Sequence, residues 1–135
     1  MGVAKILVID DEKLSRRILE KHLHDCGETD VTSFDNGSEG VLEYLGGSYD
    51  LTFLDIMMPD VSGMDVLKIV DQLRARGRVS GPANIVVATA LTDKSELDTM
   101  AAFESVYTVL RKPLKPDSIR WLLEGFHMLK SHGVC

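Results

Sequence analysis

Short apolar runs and longer amphipathic stretches alternate five times along this chain. The runs lie at residues 6–9, 31–34, 51–54, 85–88 and 106–110. Between them apolar residues recur at helical spacing: Leu14, Ile18, Leu19, Leu23 and Cys26 after the first, Val41, Leu42 and Leu45 after the second. Val66, Leu67, Ile69, Val70 and Leu73 follow the third. The fourth stretch, residues 93–103, is weaker, with Leu97, Met100, Ala101 and Phe103; the last carries Ile119, Leu122, Leu123, Phe126 and Leu129. Gly27 is a helix stop, Asn36 and Ser62 are placed to cap helices, Thr92 or Asp93 opens the fourth, and Pro116 suits a first helical position. The run at 51–54 is apolar apart from Thr52, as expected of a strand covered on both faces. Strands alternating with helices predict an α/β fold, a parallel sheet with helices on both faces. The basic, Gly-punctuated loop at 76–82 reads as a solvated connection, and a single domain over 1–135, with its core at about 4–129, is expected.

Composition narrows the function classes. With 135 residues, 44% hydrophobic and 27% charged, the chain can bury a core without disulfides or a structural metal. A formal charge of -6 argues against direct nucleic-acid binding, which needs clustered Lys and Arg. Of the two cysteines, Cys26 is expected in the core and Cys135 at an exposed end, a usage that fits a reducing compartment. No apolar stretch approaches the length of a membrane span, so no membrane insertion and a cytoplasmic location are expected.

Chemistry gathers where the strands end. Asp10 and Asp11 follow the first run, Asp55 the third, Thr89 the fourth and Lys112 the fifth. In open parallel sheets, ligands bind outside the carboxyl ends of the strands. Three carboxylates brought together repel one another and require a positive partner. No His or Cys lies beside them, which disfavours zinc, whereas Mg²⁺ accepts oxygen ligands and keeps water in its remaining positions. Lys112 adds a point charge suited to an incoming anion. Carboxylate, Mg²⁺ site, lysine and hydroxyl together suit phosphoryl transfer, with a carboxylate as nucleophile and an acyl phosphate as product. Each residue alone has a plainer explanation: Asp10 or Asp11 as a helix cap, Asp55 as a loop carboxylate, Thr89 as a β-branched strand residue, Lys112 as a solvated side chain. Their shared position at one sheet edge weighs against four separate accidents.

The ordered set Asp10-Asp11, Asp55, Met58-Pro59, Gly63, Thr89-Ala90 and Lys112-Pro113 resembles the response-regulator receiver domain of two-component signalling, of the chemotaxis-regulator type, over residues 4–129. The resemblance implies a flavodoxin-like, doubly wound five-stranded parallel sheet of order 2-1-3-4-5 with five helices. It implies that Asp55 accepts a phosphoryl group from a histidine kinase or histidine phosphotransfer protein. It also implies that Asp10, Asp11, Asp55 and the backbone carbonyl of Met57 bind Mg²⁺, that Thr89 and Lys112 contact the phosphoryl group, and that the domain catalyses its own phosphorylation and slow dephosphorylation. The output would be a changed surface for a downstream protein.

Where many members of that family carry an aromatic residue three positions before the lysine, this chain has Val109. Tyr107, two residues earlier, is expected to face the same side, where partial substitution for the ring competes with the plainer and favoured reading of a half-buried strand residue. Three other readings compete. A small aspartyl-phosphate hydrolase would need a second Asp two residues after the nucleophile; Met57 follows Asp55 there, and Glu12 follows Asp10. A receiver-like scaffold that binds partners without phosphorylation has no evident need of Asp55 and Lys112. A nucleotide-binding fold lacks its Gly-rich loop after the first strand, where Asp10-Asp11-Glu12 would repel phosphate.

Overall fold

The computed structural model describes residues 4–28 and 30–131, with side chains through 127. Five strands and five helices alternate: β1 (Lys5–Ile9), α1 (Lys13–Asp25), β2 (Asp30–Phe34), α2 (Gly37–Gly46), β3 (Leu51–Asp55), α3 (Gly63–Ala75), β4 (Ile85–Thr89), α4 (Lys94–Ala101), β5 (Val106–Arg111) and α5 (Pro116–Ser131). The strands form one parallel sheet of order β2-β1-β3-β4-β5, the flavodoxin-like order. β1 and β3 sit at its centre, and their carboxyl ends carry the aspartates.

Each strand serves two cores, because successive side chains point to opposite faces. Leu7, Ile9, Leu54, Ile85 and Val87 face Tyr44 of α2, Val66, Leu67 and Val70 of α3 and Met100 of α4. Ile6, Val8, Leu51, Phe53 and Val86 face Leu19 and Leu23 of α1 and Ile119, Leu122 and Phe126 of α5. The expected caps form: Asn36, Ser62 and Asp93 each accept a hydrogen bond from the backbone N–H three residues on. Neither Asp10 nor Asp11 caps α1; its N-cap is Glu12, which makes no side-chain capping bond.

Three expectations fail. Cys26 is exposed. The chain turns back after α1, the Glu28 N–H bonds Leu23 O, and Glu28 is the residue buried at this end. Its carboxylate accepts from Ala4 N at 2.9 Å and lies 2.7 Å from Nε2 of His127. Leu14 and Ile18 are also exposed, at 66% and 42%, and line the cavity described below; Leu42 and Leu45 of α2 and Ile69 of α3, read on the same helical spacing, are exposed as well.

Tyr107 does not share a side with Val109. Ile85 pairs with Val106, but Val86 pairs with Thr108, so β5 carries an extra residue at Tyr107. That bulge inverts the alternation. Val109 packs on the α2–α4 side and Tyr107 on the α1–α5 side, close to Gly125. The loop at 76–82 is exposed at Arg76 and Arg78, as expected, yet Arg74 ties it down by donating to Gly81 O at 2.7 Å. Leu129 and Cys135 lie outside the described side chains and residues respectively.

Candidate functional site

The sheet order places the first and third strands side by side, and this brings the aspartates together. Ile9 pairs with Leu54, so Asp10 and Asp55 leave adjacent strands at the same level. One carboxylate oxygen from each of Asp10, Asp11 and Asp55 lies within 4.8 Å of the others. Asp10 and Asp55 are each 6% exposed, while Asp11 is open to solvent. Lys112 arrives from the far edge of the sheet. Its Nζ donates to Asp10 Oδ2 at 2.9 Å and lies 3.6 Å from Asp55 Oδ2.

Local bonds hold these groups in register. The Glu12 N–H donates to Asp10 Oδ1 at 2.9 Å, and Arg16 donates to the Asp10 carbonyl at 2.8 Å. The Met57 N–H donates to Asp55 Oδ1 at 3.1 Å. Gly63 N–H closes the following loop on Ile56 O at 2.9 Å. A Cβ at Gly63 would stand 2.6 Å from Ile56 Cα and 2.8 Å from Asp55 O, so only glycine allows this approach.

The charges behave as crowding predicts. Burial is the largest influence on Asp55 and pushes its carboxyl up to about 6, with Asp10 adding to the rise and the Met57 N–H and Lys112 opposing it. For Lys112, burial works against the charged form, but the hydrogen bond to Asp10 and the charges of Asp10, Asp55 and Glu12 outweigh it and raise its pKa. Three hard oxygen donors around one point, two of them buried and compensated by a single ammonium, fit an oxygen-preferring divalent cation.

Thr89 ends β4, one residue beyond Ala88, the register partner of Asp55. Its side chain is wholly buried, and Oγ1 accepts from the Leu91 N–H at 3.1 Å. The Lys112 N–H donates to Thr89 O at 2.7 Å, which joins the two strand ends. Met57 is exposed.

A cavity of about 400 Å³ runs from Asp10, Asp55 and Lys112 between α1 and the loop that follows β5, past Leu14, Ile18 and Leu114. The exposed leucine and isoleucine were missed as site residues, because at helical spacing they read as core. Asp60, in the loop after β3, accepts from Gly37 N and Ser38 N, 23 and 22 residues away, and no local sequence pattern marks it.

Among the described residues, no helix is long and apolar enough to cross a membrane. A five-stranded parallel sheet of this order, with carboxylates and a lysine gathered at its carboxyl edge, defines a flavodoxin-like α/β domain with an acidic strand-end site. Residues 6–124 match the family "Response regulator receiver domain", and the chain belongs to that family. It is 29% identical over 116 residues to the chemotaxis protein CheY of Bacillus subtilis, covering 85% of this chain and 90% of that one. It is 41% identical over 66 residues to the transcriptional regulatory protein CusR of Escherichia coli K12, 49% of this chain but only 29% of that relative's length. The receiver domain of Francisella response regulator 1452 superposes with a TM-score of 0.78 at 24% identity, covering 94% of this chain and 98% of that one.

Proposed function

We propose that this chain is a phosphorylation-dependent switch in which Asp55 accepts a phosphoryl group from a phosphohistidine on a kinase or phosphotransfer protein. The observation that carries the reading is the meeting of Asp55 with Asp10, Asp11 and Lys112 at one strand edge. A carboxylate oxygen of Asp55 attacks phosphorus, the bond to the donor imidazole breaks, and the imidazole nitrogen keeps the electron pair and takes up a proton. Asp55 must be ionised to attack, and with its carboxyl near 6 it is mostly so at neutral pH.

Asp10, Asp11, Asp55 and the Met57 carbonyl would hold Mg²⁺. The ion would supply positive charge against the developing charge on the phosphoryl oxygens. Lys112 exchanges its contact with Asp55 for the incoming anion while remaining hydrogen-bonded to Asp10. Thr89 would donate its hydroxyl hydrogen to the phosphoryl group while its oxygen accepts from the Leu91 N–H. A turn of the hydroxyl toward that group would pull, through this bond, on residues 90–93 and on α4, the shortest helix. The output surface is therefore α4, β5 and α5, biased by contacts present in one state only. The apolar rim at Leu14, Ile18 and Leu114 suits a protein donor over a small metabolite. A cytoplasmic site of action and a single domain over 1–135 complete the proposal.

Incubation with Mg²⁺ and acetyl phosphate, followed by intact mass measurement, tests it. The parent should gain one phosphoryl group and Asp55→Asn none. A singly phosphorylated Asp55→Asn protein would move the acceptor elsewhere.

A further inference from the structure

The loop after β3 is joined to a helix that has no part in the site. Asp60 Oδ1 accepts from Gly37 N at 3.1 Å, and Oδ2 accepts from Ser38 N and Ser38 Oγ, each at 3.1 Å. These are the first two free donors of α2. The third, Glu39 N, is met by the Asn36 side chain, and the Asn36 carbonyl accepts the first intrahelical bond, from Gly40 N. The first three N–H groups of the helix, which have no intrahelical acceptor, are thus satisfied, two of them from 22 and 23 residues away in sequence. The hydrogen bonds from Ser38 N and Gly37 N hold the Asp60 carboxyl down at about 2, so the bridge is charged at any physiological pH.

The contact is also close-packed. A Cβ at Gly37 would stand 3.0 Å from Val61 Cβ and 3.2 Å from Met58 Cε, so glycine lets the loop rest on the helix start. The same junction holds the other half of the site: Phe34 O, at the end of β2, accepts from Asp10 N at 3.1 Å. The Asp10 and Asp55 loops are therefore both referenced to the segment from Phe34 to Ser38. The Met57 to Ser62 loop is closed at its base by Gly63 N on Ile56 O and held at its tip by Asp60.

We infer that Asp60 is a positioning residue for the metal and phosphoryl site, acting by clamping the β3–α3 loop to the start of α2 so that the Met57 carbonyl and Asp55 stay aligned with Asp10 and Asp11. The inference rests on the proposed reading of that site as a Mg²⁺ site. A merely structural role for Asp60 would lower stability and leave Mg²⁺ affinity alone. Asn36 provides the comparison, because its side chain caps the same helix without touching the loop.

Calorimetric titration of the full chain with MgCl₂, well below the unfolding temperature, separates the two roles. Asp60→Ala is expected to weaken Mg²⁺ binding about three- to tenfold, at the low end for outer partners of a metal site because Asp60 is solvent-exposed. Asp60→Asn keeps an acceptor and should recover part of the loss. Asn36→Ala should lower the unfolding temperature but change Mg²⁺ affinity less than about twofold. Unchanged affinity in Asp60→Ala, or an equal loss in Asn36→Ala, overturns the inference. If Asp60→Ala does not fold, Asp60→Asn and Ser38→Ala carry the same comparison on the same criteria. A parent that binds no Mg²⁺ overturns the reading of the site and the inference with it. A parent that binds while the Asp60 variants bind equally overturns the inference alone.

Discussion

The Lys112 ammonium is hydrogen-bonded to Asp10 Oδ2 at 2.9 Å across 102 residues of sequence, and it is the cation that offsets the buried pair of Asp10 and Asp55. Lys112→Ala removes it. Without metal, the variant should lose about 1–2 kcal/mol of stability, below the cost of breaking a fully buried ion pair because the cavity opens to solvent. Phosphorylation by acetyl phosphate should slow by about 100-fold, the scale of one lost charge-stabilising donor. Chemical unfolding in EDTA and a phosphorylation time course check the two effects.

Asp55 makes metal-free stability depend on pH. Its carboxyl is raised to about 6 in the folded chain, mainly by burial, against about 3.9 when unfolded. The stability that the protonated form contributes is fully present below about pH 4 and is lost as pH rises through about 6. Asp55→Asn abolishes this dependence. At pH 7 in EDTA it should be more stable than the parent by about 1 kcal/mol, after allowance for screening by solvent, and the two should converge near pH 4. Thermal unfolding of both proteins across that window is the measurement; a constant offset between them would contradict the assignment.

Asp11 is the exposed member of the carboxylate triad, so its neutralisation disturbs the fold least. Asp11→Asn should weaken Mg²⁺ about tenfold or more while leaving metal-free stability equal or slightly raised, since one like charge is gone. Titration calorimetry and thermal unfolding read these separately, and unchanged affinity would remove Asp11 from the ligand set.

Met57 and Leu91 stand two positions after Asp55 and Thr89, and the structure separates them. Met57 is 59% exposed, whereas Leu91 packs against the core cluster of α2, α3 and α4. Met57→Asn should change the rate of phosphate loss with little effect on folding. Leu91→Glu should lower stability by about 1–3 kcal/mol in addition to any effect on lifetime. Loss of phosphate followed by mass, beside unfolding curves, distinguishes them.

Gly63→Ala should be among the costliest substitutions of a small residue here. Its Cβ would meet backbone atoms of Ile56 and Asp55, which cannot move without disturbing the acceptor. A loss of about 3 kcal/mol or more is expected, with phosphorylation impaired in whatever fraction folds. Denaturant unfolding checks it.

The alternation of apolar runs was enough to read five strands and five helices, and the strand-end residues Asp10, Asp11, Asp55, Thr89 and Lys112 were legible because a parallel sheet gathers its carboxyl ends on one edge. These features follow from periodicity and chain order, which a sequence carries by itself. Tertiary structure decided the rest. The side on which Tyr107 falls depends on one extra residue in the pairing of β5 with β4, and no property of residues 106–110 alone announces that bulge. Cys26 yields its buried place to Glu28 because Ala4 and His127, distant in sequence, supply that carboxylate with partners. Asp60 becomes a clamp only because the β2–α2 junction presents two free N–H groups to it. Hydrogen bonds and strand register between distant segments are set when the segments meet, and local residue preferences do not encode them.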